Sequence, residues 1–178
     1  MTLPPRTLGA VLAGGASRRF GSDKAHASLG GTPMLDHIVT ALAPQVTDLV
    51  ICGRSWSNLR TLSDATPERI GPLAGLESAL RFAAANGFDA VLTAPVDVVP
   101  LPHNLTARLA GPRAAVFEQQ WLIGYWPSSL HAALAAFLAT GDHRWRAWIE
   151  LCGAIPVAEP HPLHNINTRA DWTAARAA

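Results

Sequence analysis

Disulfides, membrane spans and export signals are all missing from this chain, and each absence narrows what it can be. Only two cysteines occur, Cys52 and Cys152, far apart and outside any C-x-x-C pair; this excludes a disulfide framework and favours a reducing compartment. No run approaches the roughly 18 apolar residues of a membrane-spanning helix. The opening Met1-Thr-Leu-Pro-Pro-Arg6 lacks the apolar stretch of a signal peptide, so a cytoplasmic protein is expected. Charge is also scarce, at 15% of residues and a net +1. A broad surface for nucleic acid or membrane is therefore excluded, and any positive charge that matters is local. Repeats, low-complexity tracts and linkers are absent, which leaves one domain spanning residues 1–178.

What is present is a large apolar fraction, 49% of 178 residues, enough to build a compact core. Leu8 to Ala13 forms an apolar run suited to a strand buried on both faces. It stops at Gly14-Gly15, where the backbone turns freely and bare N–H groups admit a charged ligand to contact distance. Arg18, Arg19 and Lys24 follow within ten residues of that turn, the arrangement a polyphosphate needs. It is neither of two familiar phosphate loops. Gly21 is followed by Ser22 and Asp23 rather than Lys-Ser/Thr, and the adjacent glycines break the G-x-G-x-x-G spacing.

Further along, Thr32 as N-cap and Pro33 as first helical residue predict a helix carrying Met34, Leu35, Ile38, Val39 and Leu42 to Pro44. Asp48–Gly53 reads as a second strand, and Trp56, Leu59 and Leu62 suggest a helix within 54–68. Gly71-Pro-Leu-Ala-Gly75 opens a helix that Gly87 stops; the small residues there serve either as a plain turn or as a bed for a nucleotide. Asp89–Ala94 is the third strand, with Asp97 three residues beyond. The alternation predicts an α/β fold whose parallel sheet takes ligands at the carboxyl ends of its strands.

The later chain reads as a short helix over 104–110, strands at Ala114–Glu118 and Trp121–Trp126, helices over 129–138 and 143–151, and an edge strand Ile155–Val157. A last helix follows Thr168 and Asp171, which stand at capping-box spacing. Trp145 and Trp148 fit core packing or the flanks of a flat ligand. His161-Pro-Leu-His164 reads as a constrained loop in preference to a zinc site.

Four ordered stretches resemble one family. Leu12-Ala-Gly-Gly15 with Ser17-Arg-Arg-Phe-Gly21 and Asp23-Lys24, then Gly71-Pro-Leu-Ala-Gly75, Thr93-Ala-Pro-Val-Asp-Val-Val-Pro100 and Asn165-Ile-Asn-Thr168 are similar to motifs of the molybdenum cofactor guanylyltransferases. The resemblance implies a three-layer αβα Rossmann-like nucleotidyltransferase fold. It also implies transfer of GMP from GTP to the phosphate of molybdenum-molybdopterin, and transient contacts with molybdenum-insertion and molybdoenzyme-maturation proteins. Carried over by motif, nucleotide contacts fall on Leu12, Ala13, Gly14, Gly15, Lys24, Gly75 and Asp97, with Asp64 the weaker match. Asn165 and Asn167 fall at the junction of nucleotide and pterin.

For a nucleoside triphosphate the chemistry is in-line positioning and charge neutralisation. Lys24 with Arg18 or Arg19 would neutralise pyrophosphate, and Asp97 would hold Mg2+. A phosphate acceptor is largely ionised at pH 7, so no strong general base is required.

The chain departs from the family pattern in places. Phe20 replaces Met, Cys52 stands near a usual Asn, Arg169 replaces Pro, and Glu118–Leu122 lacks a His-Pro pair. These keep two alternatives open: a cytidylyl or sugar-phosphate nucleotidyltransferase of the same fold, and a non-catalytic nucleotide-binding escort for the cofactor. Gly14-Gly15, where cytidylyl relatives carry Ala-Gly, leans toward guanine.

Overall fold

A computed structural model describes residues 5–14, 24–63, 71–166 and 171, with the main chain alone for residues 24 and 29. In chain order the strands and helices are β1 Thr7–Leu12, β2 Ser28–Leu29, β3 Thr32–Pro33, α1 Met34–Leu42, β4 Asp48–Cys52, β5 Arg60–Leu62, α2 Pro72–Ala85, β6 Ala90–Pro95 and β7 Val98–Val99. They continue with α3 Leu105–Leu109, β8 Ala115–Phe117, β9 Gly124–Pro127, α4 His131–Ala139, α5 Trp145–Cys152, β10 Ile155–Val157 and β11 His164–Asn165.

Among the described residues the central sheet has seven strands in the order β10-β8-β9-β6-β1-β4-β5. Strand β1 pairs in parallel with β4 and β6, β4 with β5, and β10 with β8; β9 alone runs antiparallel to its neighbours β6 and β8. The mostly parallel α/β architecture expected from the strand–helix alternation is what forms.

Period-two alternation explains why β1 reads as a continuous apolar run. Leu8, Ala10 and Leu12 face one apolar cluster, shared with Leu73, Leu76 and Leu80 of α2, Leu134 of α4 and Trp148 of α5. Val11 faces a second cluster on the other side, with Leu35, Ile38 and Leu42 of α1 and Leu105 of α3. Two faces are covered by helices, so every residue of β1 is buried. Trp148 is fully buried beside Phe137, and Trp145 meets Trp126 edge-on with centroids 5.7 Å apart; both act in packing. Just before α5, Arg144 donates to the carboxylate of Asp142, and this hydrogen bond holds that carboxyl down at about 2.

Several elements differ from the sequence reading. Thr32 and Pro33 form β3, paired with β2 across Gly30 and Gly31, whose φ values of +60° and +91° suit a tight hairpin turn. Pro33 is therefore the N-cap of α1, and it makes no side-chain capping hydrogen bond. Of the helix suggested within 54–68, the described residues 54–63 form instead a turn at 57–58 and β5, where pairing with β4 overrides weak local periodicity; residues 64–68 lie outside the described residues. The strand expected from Trp121 begins at Gly124, because Ile123 N–H closes a turn onto the Gln120 carbonyl at 2.8 Å. Thr168, half of the expected capping pair, lies outside the described residues. No helix among the described residues is long and apolar enough to cross a membrane.

Candidate active site

The parallel register brings three chain segments to one point. Leu12 stands opposite Cys52 on one side and Pro95 on the other. Gly14, Arg54 and Asp97 each lie two residues beyond that single rung, on adjacent strands spaced by about 4.8 Å. They therefore share the carboxyl edge of the sheet, the place where an open α/β sheet takes its ligands.

The turn after β1 is clamped by the end of β4. Ala13 N–H donates to the Cys52 carbonyl at 3.0 Å, and Arg54 Nε donates to the Ala13 carbonyl at 2.9 Å. Gly53 has φ +87°, and a Cβ there would stand 2.5 Å from Gly14 Cα. Only glycine at 53 allows the two backbones to approach this closely. Gly14 itself is exposed, so the turn offers bare main chain to a ligand.

Asp97 is tied to a distant segment. Strand β11 pairs antiparallel with β7, setting Asn165 opposite Val98, and Ile166 N–H donates to the Asp97 carbonyl at 2.8 Å. The predicted pair Asp97 and Asn165 is thus brought together from residues far apart in sequence.

Lys24 begins a short helical turn, Lys24–His26. Its neighbour Ala25 is fully buried in the same apolar cluster as Ala13 and Val98, and the His26 ring packs on Trp56 with centroids 4.5 Å apart. Trp56 follows the end of β4 and is fixed by its indole N–H donating to Asp36 Oδ1 at 2.7 Å. The main chain of Lys24, the only lysine of the chain, is thereby held beside the segment that follows β4.

A family model described as the MobA-like NTP transferase domain matches residues 9–159. The chain belongs to that family of nucleotidyltransferases. A molybdenum cofactor guanylyltransferase of Cereibacter sphaeroides is 38% identical over 97% of this chain and 95% of its own length. Another, from Acidiphilium cryptum, is 36% identical over 94% and 92%. Among solved structures, molybdopterin-guanine dinucleotide biosynthesis protein A from Archaeoglobus fulgidus superposes with a TM-score of 0.76 at 19% identity, covering 96% of this chain and 97% of that one. The 2-C-methyl-D-erythritol 4-phosphate cytidylyltransferase of Thermus thermophilus reaches 0.69 at 15%, covering 94% and 96%. At such identities these two likenesses establish the fold.

Within this MobA-like domain the predicted site residues divide into groups. Ala13, Gly14, Asp97 and Asn165 gather at the carboxyl edge. Leu12 and Gly75 are buried against each other: a Cβ at 75 would lie 3.0 Å from Leu12 Cδ2 and 3.1 Å from Cys52 Cβ. The missing side chain at 75 thus lets α2 pack onto β1 and β4, while Gly71, with φ +82° and open space around its Cα, is the exposed glycine of that motif. Cys52 is 1% exposed, so its thiol packs where a ligand contact had been in question. Gly15, Arg18, Arg19, Asp64 and Asn167 lie outside the described residues.

Sequence reasoning passed over Arg54. The available signal was its place two residues past a buried strand adjacent to the glycine turn. It also gave no account of a groove of about 680 Å³ between α1 and the β7–β11 ribbon, lined in part by His37, His103 and His164. Alternation along β11 sets Asn165 on the opposite face of the ribbon from His164, so this groove lies behind the edge.

Proposed function

We propose that the chain transfers GMP from GTP to the terminal phosphate of molybdenum-loaded molybdopterin, giving the guanine dinucleotide cofactor and pyrophosphate. The observation that carries this reading is the shared rung, which sets a bare glycine turn, a guanidinium and a carboxylate at one edge of the sheet. The curated relatives' name supplies the substrates.

The main chain of Ala13 and Gly14 would seat the nucleotide, and Lys24, Arg19 and Arg54 would neutralise charge gathering on the leaving pyrophosphate. A phosphate oxygen of the acceptor attacks the α-phosphorus; that P–O bond forms as the bond to the β-phosphate oxygen breaks. The attacking oxygen is already ionised near pH 7, so no residue need remove a proton. Asn165, beside Asp97, would orient the acceptor phosphate for in-line attack.

Asp97 suits magnesium by donor type, because this ion takes one or two carboxylates together with phosphate oxygens. When bound, magnesium would supply charge stabilisation at the phosphates.

Incubation with Mg2+, GTP and molybdenum-loaded molybdopterin should release pyrophosphate, and CTP in place of GTP should not. No pyrophosphate with the GTP pair would overturn the proposal.

A further inference from the structure

The nucleotide side of the edge lies at β1 and β4; the acceptor side has no assigned pocket. Following the edge the other way, β8 and β10 run parallel to each other and end at Phe117 and Val157. The segments that leave them, 118–120 and 158–163, enclose a cavity of about 440 Å³ lined by Glu118, Gln119, Gln120, Glu159, His161 and Leu163, among others. That volume is within the range of small-molecule sites. The second segment runs directly into β11, which carries Asn165 to the side of Asp97.

One carboxylate in this cavity is held rigidly. Glu159 Oε1 accepts the main-chain N–H of Gln119 at 2.7 Å and of Gln120 at 3.0 Å. Gln120 Nε2 reaches the Leu163 carbonyl at 3.5 Å and closes the two segments on each other. Among the described residues Glu159 Oε2 accepts no hydrogen bond. A half-buried carboxylate with one oxygen fixed by two main-chain donors keeps acceptor capacity for further N–H groups at a preset position. The amino-oxo pyrimidine edge of a pterin presents adjacent N–H donors of that kind, and Glu118, Gln119 and Gln120 add acceptors around it.

We propose that this cavity binds the pterin ring of the acceptor, with Glu159 reading its pyrimidine edge. The inference rests on the guanylyltransferase reading above. The phosphate end of the acceptor then points along β11 toward Asn165 and Asp97, and the pterin is kept off the face that takes GTP.

The test uses Glu159→Gln, which keeps an oxygen for the two main-chain donors and removes the charge. With molybdopterin as acceptor, its KM should rise about tenfold or more while the KM for GTP stays within twofold, and melting temperature should be unchanged. Binding of neopterin, followed by pterin fluorescence, should be saturable in the wild type, weaker in Glu159→Gln and weaker again in Glu118→Gln/Glu159→Gln. Turnover in the wild type with an unchanged acceptor KM in Glu159→Gln would overturn this inference and leave the guanylyltransferase reading standing. Neopterin binding that is lost in the variants, with no pyrophosphate release in the wild type, would support the cavity and overturn that reading. Neopterin binding equally well to all three proteins would overturn the cavity assignment.

Discussion

Gly14 and Asp97 each stand two residues beyond the same rung of the sheet, Leu12 opposite Pro95. Val96 N–H, donating to the Leu12 carbonyl at 3.4 Å, carries that register past the last paired residues. Whatever ligand lies on the glycine turn therefore has the carboxylate-bearing turn beside it, and the consequences for substitution follow from this adjacency.

Asp97→Asn preserves shape and removes the charge expected to hold magnesium. Turnover should fall by roughly 100-fold, a loss on the order of 3 kcal/mol as for one preorganised electrostatic group. GTP binding measured without metal should change little. Unaltered turnover would remove Asp97 from the metal role.

The fold was legible where physical signals are local and strong. The run Leu8–Ala13 reads as buried because both faces of β1 are covered, and the φ > 0 stop at Gly87 ends α2 as expected. Asp97 and Asn165 were singled out through motif resemblance. The pairing of β11 with β7 that unites them was not, since a two-residue ribbon has no periodicity to detect. Arg54 escaped for a related reason: its role comes from the register between β1 and β4, and nothing in residues 52–56 alone declares it. Thr32 and Pro33 were read as the start of α1 because Thr-Pro is a good helix start, and the competing β2–β3 pairing won.

Gly53 should tolerate no side chain. Gly53→Ala places a Cβ into Gly14 and adopts a positive φ, so stability should drop by about 2 kcal/mol or more from left-handed strain and overlap combined. Thermal unfolding gives the stability change and a GTP titration the loss of affinity. A variant that melts and binds like the wild type would show that the turn can relax.

Arg54 both fixes the Ala13 carbonyl and adds a cation beside the turn. Arg54→Ala should weaken GTP binding at least tenfold, consistent with loss of a charged hydrogen bond worth about 1.5–3 kcal/mol. Arg54→Lys should recover only part of it, because an ammonium lacks the planar Nε donor. Isothermal titration with GTP measures both; equal affinities in all three proteins would confine Arg54 to the surface.

Lys24 is the only lysine, so an amine-directed reagent reports on a single side chain once the N-terminal amine is separated by peptide mapping. GTP should protect Lys24 from modification, and modified protein should bind GTP poorly. Labelling of Lys24 at the same rate with saturating GTP would place the triphosphate elsewhere.

The most direct test is a crystal structure of the protein with GTP and Mg2+. The triphosphate should lie against the main chain of Ala13 and Gly14, with the metal bridging its oxygens and the Asp97 carboxylate. A nucleotide seated in the histidine-lined groove behind the β7–β11 ribbon, or a metal bound away from Asp97, would contradict the account.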